Sequence, residues 1–429
     1  MGKSQYTLSN GWDCADFLSD IMYGYRNDLK RPAPIGQYQQ DYPILCDIAN
    51  KIEGITNPYK AARVAVRLSE KYLKSGQLHP EMSVIDTSSF SDEVAGHHDI
   101  RGLERVVVNA IERAPNTTVP CCTPACNEPA IKKSHAIQRN KILSSIVNES
   151  NTVLQMKLHP DEDSDFVQKV GWKDASTFPG FCMSCESKQF SSAETKNAPV
   201  NRNTIGKLLW RAMCFTRYRR AVEIQKRAEI VSKPKAYAIA DTLSEPLVPL
   251  NSALIMKTRI SAFRALDIWI TAFEKGHYGL AERFGYLLLE LESAPFVGAG
   301  AIPIHYDLNR NLISSPRRFI SANSYMSFTS LCSAGKQYVV FGYDKTHKTA
   351  ARVVNQLAEQ SPHLISAFLP QLVIANSDTV YMSPTWWELE ADELDQHIVK
   401  HSFFMHFAQM VFPWWGPIKN VNVLNTFRL

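Results

Sequence analysis

Between Cys121 and Cys185 the chain places five of its nine cysteines, in Cys121-Cys122-Thr123-Pro124-Ala125-Cys126 and in Phe181-Cys182-Met183-Ser184-Cys185. Two close thiol pairs held apart by a long loop restrict the fold strongly. Each pair on a tight turn presents two ligands, and a shared metal ties the turns together. The spacing is C-x3-C for Cys122 and Cys126, then 55 residues, then C-x2-C for Cys182 and Cys185. These four cysteines are the expected ligands of a structural Zn2+, because four thiolates select that ion. Cys121 stands beside Cys122 as an open alternative for the first position. The competing reading is a set of buried thiols packed as small hydrophobes.

A chain of 429 residues with 45% hydrophobic and 21% charged residues has room for several domains and a large core. Nine cysteines, mostly clustered, are too few for a disulfide framework and point to a reducing compartment and a metal. No apolar run has the form of a signal peptide or the length of a membrane span, so the expectation is a cytoplasmic protein with no membrane partner. A net charge of +5 does not by itself imply nucleic acid.

Taken in order, residues 1 to 118 read as a helical N-terminal region. Apolar spacing predicts helices over Ala15 to Leu29, over Tyr59 to Leu73 behind the Asn57-Pro58 start signal, and over Ile100 to Ala114. Gly76 to Gly96 reads as a loop, and His97-His98 as a helix start. Thr152 to Leu158 alternates as a strand does. The acidic run His159 to Asp165 is a solvated turn, with a hard-cation site as the weaker alternative.

Asn203 to Lys235 is the most basic segment. Its Arg211, Arg217, Arg219, Arg220, Lys226 and Arg227 face only Glu223 and Glu229 within the same stretch. A basic helix beside a zinc module is expected to contact phosphates, the alternative being a solvated face with acidic neighbours. Leu250 to Ser293 reads as two helices with a break at Gly276-His277, and Pro295 to Ala301 as a linker. Beyond it, strands are predicted at 302–306, 325–331 and 337–342, and helices at 346–360, 361–375 and 392–412. His397, His401 and His406, with Glu393, have a spacing that suits metal but also suits a buried helix. Trp386-Trp387 and Trp414-Trp415 are expected in the core, with base stacking as the alternative. No phosphate-binding glycine loop and no nucleophile elbow occurs.

The cysteine pair, then Ser134-His135-Ala136-Ile137-Gln138, then Ala175-Ser176-Thr177-Phe178-Pro179-Gly180-Phe181-Cys182, resembles the HNH or His-Me finger treble clefs of bacteria. More closely, it is similar to bacterial zinc proteins that carry Ser-His-Thr-Ile-Gln and Ala-Ser-Thr-Phe-x-Gly-Phe-Cys. Such proteins occur near mobile elements and phage-defence genes, so the resemblance implies antiphage defence. It also implies that His135 is the general base of a metal-dependent endonuclease acting on DNA, with Mg2+ or Mn2+ as catalytic cation. The chain departs from that pattern at Ser134, where an Asp or His ligand is usual. It departs again with Glu186, Lys188 and Glu194, where Asn and His are usual; Glu186 or Asp174 would have to substitute.

The expectation is therefore an α+β, mainly helical chain. A zinc treble-clef-like module at 119–200 lies between helical regions at 1–118 and 201–298, with an α/β part at 299–429. The two functions from different classes are the endonuclease and a non-catalytic zinc module that binds nucleic acid or a protein partner. A homo-oligomer built on the helical surfaces is a third.

Overall fold

The structure is a computed structural model that describes residues 35–79, 119–156, 167–195, 198–233, 247–304, 307–309, 311, 313, 325–374, 377, 379–408 and 418–429. The expected helices at 15–29 and 100–114, His97-His98, the whole acidic run at 159–165, and Trp414-Trp415 lie outside these residues. No described helix is long and apolar enough to cross a membrane.

Helix α1 (Ile35–Ile52) contains Pro43 and has no counterpart among the helices expected from the sequence. Helix α2 (Pro58–Lys74) starts as predicted, with Asn57 accepting from the Lys60 N–H and proline at the first position. The cysteine window follows, with short strand β1 (Ser134–His135), hairpin β2 (Thr152–Met156) and β3 (Val167–Gly171), short strand β4 (Thr177–Phe178) and helix α3 (Met183–Phe190). Next come the long helices α4 (Arg202–Ser232) and α5 (Leu247–Lys275).

Strands β5 (Phe284–Leu291), β6 (Phe296–Pro303), β7 (Tyr325–Ser333) and β8 (Lys336–Asp344) follow. The chain then forms α6 (Lys348–Glu359), α7 (Pro362–Ile374), β9 (Val380–Met382), α8 (Glu393–Ala408) and β10 (Val423–Arg428).

Strands β10-β5-β8-β7-β6-β9-β2-β3 make one eight-stranded sheet, and β1 pairs with β4 in a separate two-stranded ribbon. Every pairing is antiparallel. The protein is thus a mixture of helix and sheet, as expected. Its C-terminal part mixes helices with antiparallel strands, which is the α+β form of the α/β or α+β texture read there.

Two expectations fail for one reason. The sequence pattern assigns 284–291 to a helix and 295–301 to a linker, whereas these segments form β5 and β6. Both strands are buried along almost their whole length. On β5, Tyr286 and Leu288 pack with Ile205, Leu208 and Leu209 of α4, while Leu287, Leu289 and Leu291 pack beneath α6, α7 and α8. A strand covered on both faces loses the polar alternation that reveals strands. The expected boundary at 298 falls inside β6, and hairpin β2–β3 carries the cysteine module into the C-terminal sheet. Trp386 and Trp387 are buried, as expected.

Helix α4 is the central element. Helices α1, α2 and α5 pack on one side of it, and β6, β7 and β8 on the other. Gly206 lets the turn between α5 and β5 approach the start of α4, because a Cβ there would lie 2.0 Å from the Tyr278 carbonyl oxygen.

Candidate metal centre

The first turn of the site is built locally. Pro120 and Pro129 form an isolated antiparallel bridge, the Cys121 N–H donates to the Glu128 carbonyl (3.0 Å), and the Cys126 N–H donates to that of Thr123 (3.1 Å). Ala125 adopts φ 61°, which turns the chain tightly enough to bring Cys126 back toward Cys121. The second turn is the start of α3. Cys182 is its N-cap, and its Sγ accepts from the Cys185 N–H at 3.4 Å. The Cys182 N–H in turn donates to Cys121 Sγ at 3.3 Å.

The sulfurs of Cys121, Cys126, Cys182 and Cys185 all lie within 4.8 Å of one another, and Cys126 and Cys182 are 3.9 Å apart. Zn–S bonds of about 2.3 Å in a tetrahedron require sulfurs roughly 3.8 Å apart. The donor set fits zinc. The electrostatics fit as well. The Cys185 N–H at the helix start favours the Cys182 thiolate, whereas burial pushes the Cys121 thiol up. Although the Thr123 hydroxyl favours its thiolate, burial and the neighbouring sulfurs push Cys185 up to about 12. Four such groups ionise together only around a cation.

Cys126, Cys182 and Cys185 therefore sit where the spacing put them, but the fourth sulfur belongs to Cys121 and not to Cys122. Neighbouring residues in an extended turn project to opposite sides. The Cys122 N–H bonds the Gly180 carbonyl (2.7 Å), and its side chain enters the helical core. There its Sγ lies 3.4 Å from Tyr59 Oη, and Cys214 and the Arg217 guanidinium hold its pKa down to about 6. Nothing in the sequence marked Tyr59, Cys122, Cys214 and Arg217 as neighbours.

His135 lies on β1 opposite Thr177 of β4. Its Nδ1 is 3.1 Å from the Ala175 carbonyl oxygen, so Nδ1 carries the proton and Nε2 is left as the basic nitrogen. Burial lowers its pKa, which keeps the ring neutral near pH 7. The ribbon is fastened to the main sheet, because Tyr381 Oη on β9 accepts the Ser176 N–H at 2.7 Å.

The residues that would have to replace the missing HNH ligands are engaged elsewhere. Ser134, buried, accepts the Phe181 N–H at 3.1 Å and also bonds Glu186. Glu186 is 3.0 Å and Glu194 2.8 Å from the guanidinium of Arg211, and burial raises the Glu186 pKa. Asp174 pairs with Lys133. Among the described residues, the four cysteines are the only group of three or more His, Cys, Asp or Glu placed to share a metal. His397 is half-buried on α8 with a pKa lowered by burial, and the side chains of His401 and His406 fall outside the described residues.

The expected phosphate-contacting face is largely absent from the surface. Arg211 is fully buried and stacks on Phe190 (4.2 Å). Arg217 is buried, pairs with Asp267 (3.1 Å) and lies over the Tyr59 ring. Arg220 is buried and pairs with Glu223 (3.0 Å); Lys226, part-buried, reaches Glu229 (3.6 Å). Arg219 and Arg227 are part-buried on the same helix. The reason is the central position of α4, whose cations are matched by acids from α3 and α5 and from its own next turn.

No family model matches the chain, and neither does any curated protein or solved structure. The functional reading rests on the geometry of the site itself.

Proposed function

We propose that the chain binds one structural Zn2+ through Cys121, Cys126, Cys182 and Cys185. The zinc module would be of treble-clef type, presenting His135 as the general base of an HNH-like, metal-dependent endonuclease. The order of parts supports this reading: a cysteine turn, a β ribbon, then a helix whose first turn supplies the last two ligands. The observation that carries catalysis is the tethered imidazole. With Nδ1–H held on the Ala175 carbonyl, Nε2 is oriented to take a proton from an attacking water, and the same carbonyl stabilises the imidazolium that results. A divalent cation such as Mg2+ or Mn2+ would supply charge neutralisation at the phosphoryl group. DNA is the substrate class this reading implies, and antiphage defence its setting.

A second reading is favoured by a specific observation, the engagement of Ser134 and Glu186 with each other and with Phe181 and Arg211. On that reading the zinc module is non-catalytic and binds nucleic acid or a protein partner. Supercoiled plasmid with Mg2+ or Mn2+ separates the two. The endonuclease nicks it, and His135→Ala lowers the rate by about a hundredfold or more at unchanged zinc content. Equal nicking by both proteins removes His135 from the chemistry, and nicking by neither leaves the binding module.

A further inference from the structure

The eight-stranded sheet ends in two unlike edges. At one end, β3 is guarded: Lys169 projects from its middle and pairs with Glu388 at 2.9 Å. A lysine on an edge strand blocks the approach of another strand. At the other end, β10 has the sequence Val423-Leu424-Asn425-Thr426-Phe427-Arg428, with neither lysine nor proline. Leu424, Phe427 and the following Leu429 are 47%, 44% and 40% exposed.

The backbone of this edge has a definite phase. Leu429 and Tyr286 exchange both of their N–H···O=C bonds, at 3.1 and 3.2 Å. Residues that do so alternate along an antiparallel ladder. Phe427, opposite Leu288, therefore also directs its backbone groups to β5. The N–H and C=O of Thr426 and Arg428, opposite Leu289 and Leu287, point away from the sheet. No described strand pairs with that side.

We propose that a second copy of this chain pairs with β10 edge to edge, antiparallel about a two-fold axis through Phe427, so that the two sheets become one. The phase permits this register, and the exposed Phe427 ring favours it over one centred on Thr426 or Arg428. Thr426 and Arg428 of one copy exchange both bonds with Arg428 and Thr426 of the other. Phe427 then faces its own copy in a non-hydrogen-bonded pair with Cα atoms about 4.5 Å apart, where side chains approach most closely. Asn425 falls opposite Leu429. Arg428, the only charge on the strand, faces Thr426 and not itself, so no like charges meet. The guarded β3 edge prevents β10 from adding head to tail onto it, which leaves the closed two-fold pair rather than a fibre. This inference is independent of the zinc and of any catalysis.

Light scattering across a micromolar-to-submillimolar concentration series tests it, with Phe427→Asp and Phe427→Cys alongside the full-length wild type. The wild-type mass should rise from 48.4 kDa toward twice that value. Phe427→Asp should weaken association by about tenfold or more, as loss of a central aromatic does, with zinc content and circular dichroism unchanged. Phe427→Cys should give a reductant-sensitive dimer whose 427–427 link is identified by peptide mapping. A wild type that keeps the single-chain mass throughout overturns the proposal. So does a dimer that survives Phe427→Asp, or a Phe427→Cys dimer that yields no 427–427 link; the last decides the matter if Phe427→Asp does not fold.

Discussion

Cys121 and Cys122 are chemically identical and adjacent, yet one faces a metal-ready cluster and the other a buried tyrosine, a cysteine and an arginine. Serine substitutions should separate them. Cys121→Ser removes a ligand from a closed site and should release zinc to a chelator far more readily, with loss of stability. Cys122→Ser should retain one zinc per chain by elemental analysis; loss of zinc from Cys122→Ser alone would reverse the assignment. His135 makes a pH-dependent prediction. Its pKa is lowered in the folded protein, so the neutral ring that can accept a proton persists below the ordinary value of 6.5. Nicking should fall only as pH drops through that lowered pKa. The same sign holds for stability: the unfolded chain takes up the proton first, so stability is complete above about 6.5 and declines as pH falls through the folded value. A pH–rate profile whose acid limb lies above about 6.5, the unperturbed histidine value, would contradict this.

At the scale of the element, α4 shows how a charge run misleads. A basic segment is usually an exposed face, and a helix rich in arginine beside a zinc module reads as a phosphate contact. In this helix the buried guanidiniums of Arg211, Arg217 and Arg220 are structural. Arg211 joins α4 to α3 through Glu186 and to the turn after it through Glu194, and Arg217 joins α4 to α5 through Asp267. Arg217→Ala should destabilise the fold by about 3 kcal/mol, as breaking a buried pair does, measured by denaturant unfolding. A surface phosphate contact would behave differently, leaving stability intact and reducing only the salt dependence of nucleic-acid binding. The start of α2 was legible, since Asn57-Pro58 acts on backbone N–H groups a few residues away, whereas the Cys182–Cys185 turn gave no sign that it opens the helix α3. Strands β5 and β6 were not legible, because burial on both faces is a property of the layers around them.

Across the whole molecule, the cysteine module is joined to the rest. Hairpin β2–β3 leaves it between β1 and β4 and extends the main sheet through β9, while Phe178 and Phe181 enter the core shared by α1, α2, α4 and α5. Zinc removal should therefore be felt globally. Calorimetry of the zinc-loaded and chelator-treated protein should show one main transition moved to lower temperature. A separate small transition, with the main one unmoved, would mean that the module folds on its own. The sequence by itself determined the cysteine window, three of the four clustered sulfurs and the basic helix as a helix, because spacing, capping and periodicity act within a few residues. Tertiary structure alone decided which of two adjacent cysteines joins the four-sulfur cluster, that Arg211, Arg217 and Arg220 of α4 are buried, and that the module and C-terminal strands share one sheet. Those outcomes depend on what packs against each side of a residue, and partners distant in the chain leave no mark in the local pattern.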